Sequence, residues 1–279
     1  MSESGESTDF AFYDAHYRHF GSELAAAMRR EIYGEDLGQT GWRSISEQHE
    51  IAALLELGPD KHVLDVCCGS GGPSVDLAQR TGCAITGLDA EAAGVAHAQS
   101  IAAARKLAGR AVFMALDCGG PLPFADATFD AVLCVDAINH LPDRHGTLGE
   151  WARVLRPGGR LLFTDALVVT GPLSKHEIDV RSGLGFYLFV PPGVNEAAIA
   201  GAGFSLLQMM DRSAATAEIA SRWNAVRGRH LPELEAVEGA AWCRQRQRFL
   251  AVTAELARSG RLSRFLYLAA NKPSVNIAH

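Results

Sequence analysis

No stretch of this chain is apolar for the roughly 18–20 residues that cross a bilayer, which argues against a membrane-inserted protein. Its opening residues, MSESGESTDF, are polar and acidic where a secretion signal is basic and then apolar, so the cytoplasm is the expected compartment. Positive charge is in short supply as well. Lys and Arg number 26 against 32 Asp and Glu, a formal charge of -6, and that balance excludes the basic footprint of a nucleic-acid binder. Cysteines at metal-binding spacing are missing: positions 67, 68, 83, 118, 134 and 243 contain no C-x-x-C, so neither a metal site nor a disulfide framework is expected. Buried thiols in apolar runs are the simpler reading. Internal repeats and low-complexity tracts are absent too. What remains is ordinary globular composition, 48% hydrophobic and 21% charged over 279 residues. That is enough for one large domain or a core with a cap, with a small molecule as default partner and a monomer or homodimer as expected assembly.

Periodicity organises the chain. FAFYDAHYRHFGSELAAAMRREIY sets Phe12, Tyr13, His16, Tyr17 and Phe20 at helical spacing, which predicts one helix. SISEQHEIAALLELGP predicts a second, capped by Ser46, striped through Ile51, Leu54 and Leu55, and stopped at Gly58-Pro59. Short apolar strands at 62–66, 83–88, 111–115, 129–135 and 159–166 then alternate with helices near 73–80, 91–108 and 146–155. Parallel strands need a crossover element between them, so the alternation predicts an α/β fold with a mostly parallel sheet and helices on both faces. Beyond Thr164 the pattern changes, and GPLSKHEIDVRSGLGFYLFVPPG has no clean period. VNEAAIAGAGFSLLQMM reads as a helix, a glycine stop and a strand, 214–258 as helical, and SRFLYLAANKP as the seventh and last strand. The expected organisation is an N-terminal helical cap over 1–58 and a domain over 59–279, with an acceptor-site segment at 167–195 and a helical insertion at 212–260.

The first strand-to-helix turn, HVLDVCCGSGGPS, is the natural ligand site, because ligands of open parallel sheets bind where strand carboxyl ends meet helix N-termini. A phosphate loop needs a Lys after its last glycine, and none follows Gly72; a dinucleotide fingerprint starting at Gly69 needs glycine where Ser74 stands. Asp65, at the strand end, repels pyrophosphate and attracts ammonium or sulfonium. Asp89 follows Gly71 by 18 residues, close to the ~20-residue spacing at which an acid reaches a ribose hydroxyl. Asp117 ends the third strand, where it is placed to accept from an amino group.

Taken in order over about residues 60–166, VLDVCCGSGG, GLDA, LDCGGPLPFADATFDAVLC and EWARVLRPGGRLLFTD resemble the class I S-adenosylmethionine-dependent methyltransferases of small-molecule type. The resemblance implies a Rossmann-like fold, S-adenosyl-L-methionine as cofactor, and methyl transfer to an N, O or C nucleophile of a small acceptor. It places the methionine moiety at Asp65, Gly69 and Gly71, the ribose at Asp89, and the adenine at Asp117 and Cys118; Cys67, Ala90, Asp136 and Trp42 complete the expected cofactor set. Many members carry glycine where this chain has Cys67, and the quinone-pathway C-methyltransferases share a similar Cys-Cys pair.

Methyl transfer is an in-line displacement, so holding the nucleophile in place dominates, with a base required only by some acceptors. CVDAINHLPD, after the fourth strand, brings Asp136, Asn139 and His140 to the reaction zone, and His140 is the candidate base. His176, Phe186, Tyr187 and Phe189 fall in the segment expected to form the acceptor pocket, although FYLFV reads equally as buried strand or helix core. Trp42, Tyr13 and Tyr17 are candidates for an aromatic lid. The Arg residues of RWNAVRGRHLPELEAVEGAAWCRQRQRF either attract an anionic acceptor or form a solvated face. Two other readings stand beside methyl transfer: a cofactor-binding protein without turnover, and, opposed by Ser74 and Asp65, a nicotinamide oxidoreductase.

Overall fold

The computed structural model describes residues 19–272, with seven strands and ten α-helices among them. The strands are β1 (His62–Val66), β2 (Ala84–Asp89), β3 (Ala111–Ala115), β4 (Phe129–Cys134), β5 (Leu155–Val169), β6 (Phe204–Asp211) and β7 (Leu262–Asn271). They form one sheet in the order β3-β2-β1-β4-β5-β7-β6. The first five are parallel, and β7 runs antiparallel to both its neighbours. The expected α/β class and mostly parallel sheet are therefore present. Alternation along each strand feeds two separate cores. Leu64, Val66, Leu88, Val132 and Phe163 pack on one face against Leu148, Trp151 and Val154 of α5 (Arg144–Val154). Val63, Ile85, Ala131, Leu133 and Leu162 face the other way, towards α2 (Ile45–Leu54), α3 (Gly72–Thr81) and α4 (Ala92–Ala104).

A third apolar cluster joins segments far apart in sequence. Met28, Ile32 and Tyr33 of α1 (Glu23–Tyr33) and Trp42 pack against Trp223, Phe249 and Leu250. Those partners come from α8 (Ser213–Arg229) and α10 (Ala240–Arg258), which with α9 (Leu231–Glu238) connect β6 to β7. Trp223 Nε1 donates to the Tyr33 hydroxyl (2.9 Å), which donates to the Gly41 carbonyl (2.8 Å). The remaining helices are α6 (Lys175–Ser182) and α7 (Val194–Gly201).

Some local expectations are corrected. The first helix does not run through Phe20: α1 starts at Glu23, because Ser22 turns extended and its hydroxyl accepts from the Ala25 amide. Tyr13 and Tyr17 lie outside the described residues. The cap of α2 is Ser44, whose Oγ accepts from Glu47 N–H, while Ser46 sits inside the helix. β5 is longer than expected because its end pairs with β7 as far as Val169. FYLFV is neither strand nor helix; only its last residue, Val190, bridges to Val168. Among the described residues no helix is long and apolar enough to cross a membrane, and no His, Cys, Asp or Glu group is arranged to hold a metal ion.

Candidate active site

Strand carboxyl ends and the turn after β1 build the site. Cys67, at φ 58°, is left-handed, a conformation that disfavours a β-carbon and accounts for the glycine common there in the resembling family. Gly71 is also left-handed, and a side chain there would meet Ala98 Cβ at 2.3 Å. At Gly72 a β-carbon would lie 1.8 Å from the Leu37 carbonyl oxygen. The glycines thus let α3 press against α4 and against the 34–41 loop. The Gly69 amide donates to Asp89 Oδ2 (2.7 Å) and the Glu91 amide to Asp89 Oδ1 (3.0 Å). Each of these oxygens keeps a second lone pair for a ligand hydroxyl.

A cavity of about 260 Å³ opens above these ends. At the β2–β3 side it is lined by Asp89, Ala90, Glu91, Asp117 and Cys118, and in the middle by Cys67, Gly69, Asp136 and His140. At the β5 side it reaches Arg181 and Tyr187, then Arg246 and Phe249 of α10, with Trp42 above. Trp42 stacks on Phe249, ring centroids 6.3 Å apart. A side cavity of about 90 Å³ takes in Arg43, Asp65 and Ser70 and shares Cys67 and Gly69 with the first. Gly71 lines neither; its role is packing.

Burial governs the electrostatics. Desolvation raises the Asp65 carboxyl to about 6, despite a hydrogen bond from Ser74 and the nearby charge of Arg43. Burial also lifts Asp89 above the usual carboxylate range. Asp136 is different. Burial opposes its ionisation, but Arg264 (Nε to Oδ1, 2.6 Å), the Trp42 amide (2.7 Å) and Thr164 Oγ1 (2.8 Å) hold it below its ordinary value. Asp136 lines the cavity with Oδ1 held by Arg264 and Thr164 and Oδ2 by the Trp42 amide. Burial raises the Cys68 thiol, and hydrogen bonding to Cys67 followed by burial raises Cys118; thiols in this state are poor nucleophiles.

His140 ends the 3₁₀ turn Ile138–His140. Its Nδ1 lies 2.8 Å from the Phe186 carbonyl oxygen, and a carbonyl only accepts, so Nδ1 carries the proton and Nε2 is the basic nitrogen. Burial lowers its pKa, which keeps the ring neutral at pH 7. Tyr187 packs on the imidazole, centroids 4.7 Å apart. Of the aromatic and histidine candidates in the irregular segment, only Tyr187 reaches the cavity: Phe186 is exposed, Phe189 packs towards Leu167 and Leu256, and His176 lies on α6 away from the lining. Sequence reasoning missed Arg43 and Arg181. Arg43 follows Trp42 directly in TGWRS, a signal available beside a candidate already chosen; Arg181 sits where the pattern has no period.

Residues 63–159 match the family model of a methyltransferase domain. That segment is a methyltransferase domain. The 27-O-demethylrifamycin SV methyltransferase of Amycolatopsis mediterranei is 32% identical over 161 residues, 54% of this chain and 59% of that one. A sterol 24-C-methyltransferase of Gibberella zeae is 33% identical over 192 residues, 66% of this chain but 49% of its own. The aligned regions thus span under two thirds of both relatives. A phosphoethanolamine N-methyltransferase of Haemonchus contortus, solved with S-adenosylhomocysteine, shares the fold at TM-score 0.77 and 19% identity, covering 94% of this chain and 60% of that one. The methyltransferase domain carries Asp65, Cys67, Gly69, Asp89, Asp117, Asp136 and His140, whereas Trp42, Arg181, Tyr187, Arg246 and Phe249 lie outside the matched segment.

Proposed function

We propose that the protein transfers the methyl group of S-adenosyl-L-methionine to an N, O or C nucleophile of a small-molecule acceptor in the cytoplasm. The carrying observation is the row of acids at successive strand ends, Asp65, Asp89 and Asp117, with the Gly69 amide already given to Asp89. A cation-bearing nucleoside suits this donor set, and a pyrophosphate does not. In this reading Asp89 accepts from the ribose hydroxyls, Asp117 and the Cys118 region meet the adenine, and Trp42 covers the site. Asp65 and Arg43 offer opposite charges in the side cavity, the complement of an amino acid's ammonium and carboxylate. The cofactor, when bound, supplies the electrophilic methyl. His140 Nε2 takes the acceptor's proton where one must leave, Tyr187 fixes the ring, and the Phe186 carbonyl fixes its tautomer. Six unpaired cysteines suit a reducing compartment. Isothermal titration with S-adenosylhomocysteine tests the reading: a one-to-one heat is expected, and no binding at high micromolar concentration would count decisively against it.

A further inference from the structure

The cavity's two ends differ in sign. Carboxylates line the β2–β3 end, and two guanidiniums, Arg181 and Arg246, line the other. Arg181 is only 2% exposed. Its Nε and Nη1 are buried without a hydrogen-bond partner. Among the described residues no carboxylate pairs with it. Its guanidinium lies 4.4 Å from the Phe249 ring centroid and 5.8 Å from that of Tyr187, and Arg246 approaches the same Phe249 ring at 5.6 Å. The helix that presents it is firmly anchored. Ser174 and Glu177 form a capping box, Arg261 pairs with Glu177 at 2.7 Å, and Gln245 of α10 bonds the Gly183 carbonyl at the other end. A buried cation left unpaired, with a second cation nearby, is strongly unfavourable unless a ligand brings the missing negative charge. Burial lowers its pKa to about 10, which still leaves it charged at pH 7. Asp136, an acid of the middle of the cavity, is satisfied by Arg264 and does not supply that charge.

We propose that the methyl acceptor is an organic anion whose carboxylate or phosphate group is gripped by Arg181, with Arg246 beside it. The planar fork of Arg181 fits two oxygens of an oxyacid, and the Phe249 and Tyr187 rings hold the fork in place. The acceptor's nucleophile then points back along the cavity towards His140 and the domain's cofactor side. This inference rests on the methyl-transfer reading and names its substrate class.

The test uses the full chain, with and without saturating S-adenosylhomocysteine, and three probes at constant ionic strength: benzoate, phenyl phosphate and neutral benzamide. At least one anion is expected to bind tenfold or more tighter than benzamide, and the one preferred separates a carboxylate from a phosphate acceptor. Arg181→Met should abolish the preference and Arg181→Lys restore part of it. Arg181→Met should also raise the melting temperature of the ligand-free protein, whereas a purely structural arginine would lower it. If Arg181→Met does not fold, Arg246→Met must show a reduced preference. The proposal is overturned if neither anion outcompetes benzamide, or if the preference survives these substitutions. Failure of S-adenosylhomocysteine to bind strikes the methyl-transfer reading instead, while its binding without any anion preference removes this proposal alone.

Discussion

Asp65 is a buried carboxyl whose proton is held more tightly in the folded chain than in the unfolded one, since its pKa rises from 3.8 to about 6. Its contribution to stability is therefore fullest below pH ~4 and is lost as pH rises through 6, reaching a cost on the order of 3 kcal/mol at neutral pH. Asp65→Asn keeps an acceptor for Ser74 without the charge. The variant should melt above the parent at pH 8 and level with it near pH 4, and it should bind the cationic cofactor more weakly. A melting difference that does not change with pH would refute the raised pKa. For His140→Gln, turnover on an acceptor that must lose a proton should fall about 10²–10⁴-fold. Binding of S-adenosylhomocysteine should stay within a fewfold, and kinetics alongside calorimetry separates the two effects. Both residues were legible in the sequence, Asp65 as the acid closing an apolar run and His140 as the histidine after β4. The pairing of Asp136 with Arg264 was not, because Arg264 lies 128 residues away.

Elements meet most tightly where the first turn enters α3. Gly72→Ala would drive a β-carbon against the Leu37 carbonyl, and a backbone atom does not rotate away as a side chain does. Overpacking of this kind typically costs about 1–3 kcal/mol. The 34–41 loop carries Gly38 to Gly41 along the cavity walls, so the variant should lose S-adenosylhomocysteine affinity together with stability, measurable by denaturation and calorimetry. Strands β1 to β4 were readable to within a residue or so because each is short, apolar and punctuated. Caps were less so: choosing Ser44 over Ser46 depends on which serine takes the extended backbone, and composition does not say. FYLFV misleads because its aromatics serve three different surroundings, solvent, cavity and core, rather than one periodic face.

At the scale of the whole molecule, one arginine ties α2 to the sheet. Arg264 of β7 is fully buried and pairs with both oxygens of Glu47 on α2 (2.7 and 2.6 Å) and with Asp136 beyond β4. Breaking such a network leaves uncompensated buried carboxylates, and Arg264→Met should destabilise by about 3–5 kcal/mol in chemical denaturation. Because Asp136 also holds the Trp42 amide, the cavity roof should loosen and cofactor affinity fall. A stability loss below about 1 kcal/mol would show the network to be dispensable. The sequence by itself determined the α/β class, the strand alternation and the acids that close successive strands, because these depend on neighbours a few residues apart and on side-chain chemistry. Only tertiary structure decided that α1 shares a core with the helices before β7, that Arg43 stands by Asp65, and that Arg181 lines the cavity with no carboxylate paired to it among the described residues. Those facts depend on which distant segments touch, and burial, which converts a charge into a demand for a partner, exists only once they do.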